Sequence, residues 1–227
     1  RALEAEKSRL EKEIIRRTRA EADLQQLAST DYLCDILNRR AFMQLAEKEM
    51  ARHRRSKEPL CLAILDIDHF KLINDQYGHP QGDIVLQGIT RRIACRIRIS
   101  DHFGRIGGEE FAILLVATPL HEGMLLAERL RRCIEEQAFI LSEADCPVSI
   151  SIGVWPIDAS KETLGDALQQ ADRALYLAKN KGRNRVETTF ATEYSDTQQG
   201  KPIASASHPA SNTIKSVDAS STHPINP

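Results

Sequence analysis

The stretch Arg105-Ile106-Gly107-Gly108-Glu109-Glu110-Phe111, followed at once by Ala112-Ile113-Leu114-Leu115-Val116, sets two glycines and two carboxylates ahead of an apolar, β-type run. A Gly-Gly pair between extended segments predicts a tight hairpin, with glycine supplying backbone at positive φ and the acids displayed at the tip. Adjacent carboxylates repel each other and call for a cation. Taken alone, the pentapeptide is equally an ordinary solvated turn, because short motifs recur by chance. Its meaning depends on what lies near it.

A second run, Leu60 to Asp66, is short and almost continuously apolar, the pattern of a strand buried on both faces. It ends Leu65-Asp66-Ile67-Asp68-His69-Phe70-Lys71, so Asp66 is expected at the mouth of that strand. If the strand lies beside the Gly-Gly hairpin, Asp66 and Glu109 converge on one hard cation, with the Ile67 carbonyl filling a further position. Mg²⁺ accepts one or two carboxylates and takes its remaining oxygens from phosphate, which suits so small a set of acids. Lys71 and Lys179-Asn180-Lys181-Gly182-Arg183 supply the positive charge that a triphosphate requires. Each feature also has a plainer reading. Asp68 is placed to cap the next helix, and 179–183 is a basic helix end of the kind the macrodipole favours.

Other regions fill out the domain. Apolar residues at helical spacing (Val85, Ile89, Ile93, Ile97) predict a helix over 82–97, and Val148, Ile150, Ile152 and Val154 alternate as in a strand. Leu164, Leu168, Ala171, Leu175 and Ala178 line one face of a helix that Gly182 ends. Residues 1–28 are rich in Glu, Lys, Arg, Leu and Ala without Gly or Pro, and predict a helix. One heptad position there reads Leu3, Leu10, Arg17 and Leu24, the other Lys7, Ile14, Glu21 and Ala28. Polar residues interrupt this seam, so the expectation is a weak coiled-coil linker or a solvated helix. From residue 191 the chain turns to Ser, Thr, Pro, Gln and Asn, the composition of a disordered tail. Three regions follow: a helical linker over 1–28, a globular domain over 29–190 and a tail over 191–227.

Composition narrows the function. With 31 Lys and Arg against 32 Asp and Glu, the 227-residue chain has a formal charge of −1, which gives no support to nucleic-acid or membrane-surface binding. Its five cysteines are scattered and form no CxxC pair, so a disulfide framework and a zinc site are not indicated, and reduced thiols in the cytoplasm are expected. The apolar runs fall well short of the ~20 residues that span a bilayer. The chain begins at Arg1, which reads as a fragment from which an upstream sensor domain has been removed.

The ordered motifs Asp66-Ile67-Asp68-His69-Phe70-Lys71, Asn74-Asp75, Gly78-His79, Gly82-Asp83, Gly107-Gly108-Glu109-Glu110-Phe111, Ser151-Ile152-Gly153, Ala171-Asp172-Arg173-Ala174-Leu175-Tyr176 and Lys179-Asn180-Lys181-Gly182-Arg183-Asn184 resemble the GGDEF-domain diguanylate cyclase family, in its GGEEF variant, over about residues 30–188. The resemblance implies a palm-like α+β domain of the ferredoxin-like, nucleotidyl cyclase type: a central, mostly antiparallel sheet flanked by helices and preceded by an N-terminal signalling helix. It implies condensation of two GTP into cyclic di-GMP with release of pyrophosphate, across a homodimer, with Mg²⁺ as the metal and Mn²⁺ as its alternative.

By the same resemblance, Asp66, Ile67 (through its carbonyl) and Glu109 hold metal, while Glu110 lies near the attacking 3′-hydroxyl or a second metal. Asp66, Glu109 and Glu110 form the catalytic set. Asn74 and Asp83 hydrogen-bond guanine, and Phe70, Lys71, Lys179 and Arg183 complete the substrate contacts. Arg98-Ile99-Ser100-Asp101 falls in the register of an RxxD product-inhibition motif, with Arg129 as an auxiliary contact. Its bland alternative is an Arg–Asp pair on a helix end. One departure stands out: Cys34-Asp35-Ile36 occupies the place of the family's Thr-Gly-Leu. Asp tolerates left-handed backbone, so the turn is expected to survive. The competing function is a catalytically weak module that binds GTP or cyclic di-GMP and signals without turnover.

Overall fold

The computed structural model describes residues 29–190, together with Lys7 and residues 12–17. Lys7 and residues 12–17 are helical, with Lys7, Ile14 and Ile15 exposed; Leu3, Leu10, Glu21, Leu24 and Ala28 of the expected heptad seam lie outside the described residues, as does the tail from 191. In chain order the elements are β1 (Leu37–Asn38), α1 (Arg39–Ser56), β2 (Leu60–Ile67), α2 (Phe70–Tyr77), α3 (His79–Ala94), β3 (His102–Arg105), β4 (Glu110–Val116), α4 (Leu120–Glu135), β5 (Phe139–Leu141), β6 (Ala144–Cys146), β7 (Ile150–Pro156), α5 (Leu164–Asn180) and β8 (Val186–Glu187).

Six strands form the main sheet in the order β1-β3-β4-β2-β7-β8, while β5 and β6 pair separately. The three inner pairings, β3–β4, β4–β2 and β2–β7, are antiparallel, and the two edge pairings are parallel. The fold is therefore α+β with a mostly antiparallel sheet, as expected. Every residue of β2 is buried, which explains its unbroken apolar run. Alternation divides it between two cores. Cys61, Ala63, Leu65 and Ile67 pack with α3 and α4 on one face; Leu60, Leu62 and Ile64 pack with α1 and α5 on the other.

Local sequence marks the helix starts. Asn38 caps α1 by accepting from the Ala41 amide at 3.0 Å, and Thr163 and Asp166 form a reciprocal capping box on α5. The helix expected over 82–97 runs instead from His79 to Ala94. Gly78 at φ 85° breaks α2 from α3, Pro80 is favoured in the first turn, and Ile97 packs on the core from the loop beyond. Gly153 has a steric purpose: a Cβ there would run into the backbone of Ala171 and Leu175, so glycine lets α5 lie directly against β7. That approach brings the end of α5 to the mouth of β2.

The departing segment Cys34-Asp35-Ile36 keeps its turn. Asp35 takes φ 53°, the left-handed backbone expected of it, and the Asp31 amide donates to the Ile36 carbonyl at 2.7 Å. Asp31 closes the turn by accepting from the amides of Leu33 and Cys34 at 3.1 and 2.9 Å. Cys34 itself is buried, and that burial pushes its thiol above the ordinary range. All five cysteines are free thiols.

Candidate active site

The hairpin and the central strand meet as their sequences suggest. Asp66 pairs directly with Glu110 across β2 and β4, and the Ile67 amide donates to the Glu109 carbonyl at 3.4 Å. Directly opposed residues of an antiparallel pair share a face, so Asp66 and Glu110 point to the side covered by α5. There, Lys179 near the end of α5 meets the Asp66 carboxylate at 2.9 Å. The Asp66 side chain is only 7% exposed. Burial pushes its pKa up to about 6; Lys179 opposes the rise, while the charges of Glu109 and Glu110 add to it. A buried carboxylate flanked by two half-buried acids is costly to ionise, and Lys179 offsets only part of that cost.

The glycines of the turn act differently from the expectation. Neither Gly107 nor Gly108 uses positive φ. A Cβ on Gly107 would collide with the Glu110 carboxylate, whereas Gly108 faces open space. Glycine at 107 thus makes room for the acid rather than for a left-handed turn. Two arginines hold the turn from outside. Arg105 donates to the Gly108 carbonyl at 3.0 and 2.6 Å and bridges to Asp31 at 3.2 Å, and Arg39 donates to the Ile106 carbonyl at 2.9 Å. The turn 31–36 is in this way fastened to the acidic hairpin.

The two residues expected at guanine, Asn74 and Asp83, stand on consecutive helices. The Asn74 side chain on α2 lies so close to Gly82 that any Cβ there would strike its Oδ1, and Asp83 is the next residue of α3. Lys71 and Arg183 are exposed, and Asn74 is half-buried. Phe70 is 6% exposed, its ring packed in the core beneath Gly82 at the first turn of α2.

Arg98, Asp101 and Arg129 line one cavity of about 210 Å³ with Arg96, Thr118 and Leu125. The helix-end ion pair is not what forms there, since α3 ends at Ala94. Asp101 is buried, and its carboxylate accepts main-chain amides of Arg98 at 3.0 Å and Val116 at 3.2 Å. It braces the cavity wall while Arg98 stays exposed. Arg129 donates to the Arg96 carbonyl at 3.3 Å.

Asp68, expected as a helix cap, has another role. His69, at φ 58°, stands at the N-cap of α2 without a side-chain bond. The buried Asp68 carboxylate instead accepts from the hydroxyls of Ser149 and Ser151, each at 2.7 Å, and from the Asn184 amide at 3.0 Å. The one sequence signal for this was the Ser-x-Ser spacing, which puts 149 and 151 on one face of a strand.

The donor set suits a hard divalent ion. Asp66, Glu109 and Glu110 offer only oxygen, and a cation would offset the cost of ionising Asp66, which burial raises first and the two neighbouring acids raise further. Among the described residues, no three or more His, Cys, Asp or Glu side chains stand together as a group that could hold a metal ion by themselves.

Comparison with known proteins gives a family. The family model described as "Diguanylate cyclase, GGDEF domain" matches residues 28–185. The chain is 43% identical over 166 residues to the diguanylate cyclase DgcP of Pseudomonas aeruginosa, covering 73% of this chain and 24% of that protein. Among solved structures, it resembles the coiled coil and GGDEF domain of DgcB from Caulobacter crescentus in complex with c-di-GMP, with a TM-score of 0.77 and 28% identity over 82% of this chain and 99% of that one. It also resembles the active GGEEF domain of a diguanylate cyclase from Vibrio cholerae, with a TM-score of 0.62 and 36% identity over 66% of this chain and 95% of that one. The chain spans between about a quarter and a half of the length of the curated relatives it matches.

Proposed function

Because the chain belongs to the GGDEF-domain diguanylate cyclase family, we propose that it condenses two GTP into cyclic di-GMP with release of pyrophosphate, as a metal-dependent homodimer in the cytoplasm. The observation that carries this reading is the placing of the buried Asp66 at the mouth of β2, directly opposite Glu110 and beside the Glu109 end of the acidic hairpin.

Asp66, the Ile67 carbonyl and Glu109 would hold the ion, Mg²⁺ or Mn²⁺. When bound, it supplies Lewis acidity to the phosphoryl group and neutralises charge on the leaving pyrophosphate. The residues of the chain do the remainder. Glu110, on the same face as Asp66, is the acceptor for the proton of the attacking 3′-hydroxyl. The Asn74 amide and the Asp83 carboxylate select guanine, the acid accepting from N1–H and N2–H₂. Lys71, Lys179, Arg183 and the amides of the first α2 turn neutralise and orient the triphosphate. Lys179, paired with Asp66, is poised to move to phosphate when an ion takes over that carboxylate. One chain carries one such set of groups, so two domains must face each other to join two nucleotides.

Product feedback is assigned to the cavity of Arg98, Asp101 and Arg129. An exposed Arg98 guanidinium matches the O6/N7 edge of guanine. The kept left-handed turn at Asp35 supports a working catalyst over a degenerate binding module, since that turn anchors the hairpin through Asp31 and Arg105.

The test is mass analysis of the product from purified chain with GTP, with and without Mg²⁺. Cyclic di-GMP is expected only with the ion, with activity rising more than linearly with enzyme concentration. No product on either side of a measured monomer–dimer transition would refute the proposal. Parallel reactions with ATP, expected to yield none, test the guanine assignment.

A further inference from the structure

The segment from Lys181 to Arg185 joins α5 to β8, and its backbone is unusual. Gly182, Arg183 and Asn184 all take positive φ, at 109°, 60° and 48°. Only glycine enters this region freely, and a run of three residues there needs external support. Some is local: the Arg183 amide donates to the Ala178 carbonyl at 3.1 Å. The remainder is concentrated on Asn184.

Its main-chain amide donates to Asp68 at 3.0 Å. Its side-chain oxygen accepts from Arg131 at 2.6 Å, and its side-chain nitrogen donates to Glu135 at 2.6 Å. Arg131 is in turn locked by a two-pronged pair with Glu128, at 2.9 and 2.8 Å, and by Glu135 at 2.6 Å. Asn184 therefore ties its turn to two frames at once: the strand extension two residues beyond Asp66, and helix α4. Such bracing exceeds what a solvated connection needs, and the residue just before Asn184 in the chain is the exposed Arg183.

We propose that Asn184 is a positioning residue, which through Asp68, Arg131 and Glu135 fixes the left-handed turn that presents Arg183 to the triphosphate. The assignment rests on the reading of the site as a GTP site. It makes the aim of a phosphate contact depend on the same strand that carries Asp66, so that the carboxylates and the cation move as one frame. Displacements of about 1 Å in such a group cost on the order of a hundredfold in rate, so the bracing has a function to serve.

The test is Asn184→Gly. Glycine accepts positive φ and keeps the main-chain bond to Asp68, so only the side-chain anchor is lost. Expected are a KM for GTP raised about tenfold with a smaller change in kcat, and a tenfold loss of affinity for tripolyphosphate measured by calorimetry, where no turnover is involved. Combined with Arg183→Ala, the change should add less than twofold to the single Arg183→Ala loss, because Asn184 acts through Arg183. Asn184→Asp keeps the acceptor for Arg131 but replaces the donor that meets Glu135 at 2.6 Å with a second carboxylate; it too should raise KM for GTP and weaken tripolyphosphate binding, and it serves as the second variant if Asn184→Gly fails to fold.

Wild-type turnover with unaltered KM and tripolyphosphate affinity in both variants overturns the assignment alone. So do fully additive losses in the double variant. A wild-type protein that neither binds nor turns over GTP overturns the proposed function and this assignment with it.

Discussion

Asp66 at the mouth of β2 and Glu135 at the end of α4 are both carboxylates beside a cation, yet their charges have opposite fates. Glu135 and Glu128 share Arg131, which holds both below the usual carboxylate range, with Asn184 helping at Glu135. Asp66 has Lys179 and still lies above that range, because burial and two neighbouring acids outweigh one ammonium group. The difference separates architecture from chemistry. Where every acid has its guanidinium, the group is complete and holds the 181–185 turn. Where acids outnumber cations in a buried place, the group is prepared for a charge from outside.

The largest test removes the excess of acids. Glu109→Gln or Asp66→Asn should lower the rate of cyclic di-GMP formation by at least about a hundredfold, the scale on which one preorganised electrostatic contact counts. Retention of a tenth of the rate would end the contrast. The same Asp66→Asn variant reads the other side of the balance. In metal-free protein, a folded pKa near 6 against an ordinary 3.8 means that the folded state holds the proton more tightly than the unfolded one. Ionising Asp66 therefore costs stability as pH rises from about 4 to 6, and the cost persists above. Melting of wild type against variant should show an advantage for Asp66→Asn that grows over that window and then levels; an advantage that shrinks with rising pH has the wrong sign.

The arginine-lined cavity is the reverse case: Arg96, Arg98 and Arg129 outnumber Asp101 and Glu122, and Asp101 is already engaged by backbone amides. Arg98→Ala should raise the inhibition constant for cyclic di-GMP about tenfold, the loss of one bidentate base contact; initial rates measured against added product give it directly. Next in size is Arg131→Met in the completed network. Charged hydrogen bonds to partners that are partly solvated suggest a loss of about 1–2 kcal/mol in urea unfolding. The smallest effect belongs to Arg132→Gln, which breaks only the exposed pair with Glu128 at 2.8 Å and should change stability by less than about 0.5 kcal/mol.

Much of the fold was legible because it is local. The unbroken apolar run of β2, the alternation through Val148 to Val154 and the helical stripe of α5 each declare themselves within one element. The acceptance of left-handed backbone by Asp35 was readable from residue type. Reasoning from residue type was incomplete at Gly107 and Gly108, where the expectation rested on φ and the cause at 107 is the bulk of Glu110. The start of α3 at His79 was hidden because Gly78 and Pro80 read equally well as a loop. Phe70 stood within a functional motif, but its place in the core follows from how α2 packs against Gly82. The bonds of Asn184 reach 116, 53 and 49 residues back along the chain, to Asp68, Arg131 and Glu135, beyond any pattern of spacing.

The sequence by itself determined β2, β7, α5, the acidic hairpin and the family, because backbone periodicity and ordered motifs are properties of neighbouring residues. Tertiary structure alone decided that Asp66 faces Glu110, that Lys179 reaches Asp66 and that Asn184 is held between strand and helix. Those facts come from strand register and from the close seat of α5 on Gly153. Register and packing are settled by contacts between distant residues, whose free energy exists only once the sheet has formed.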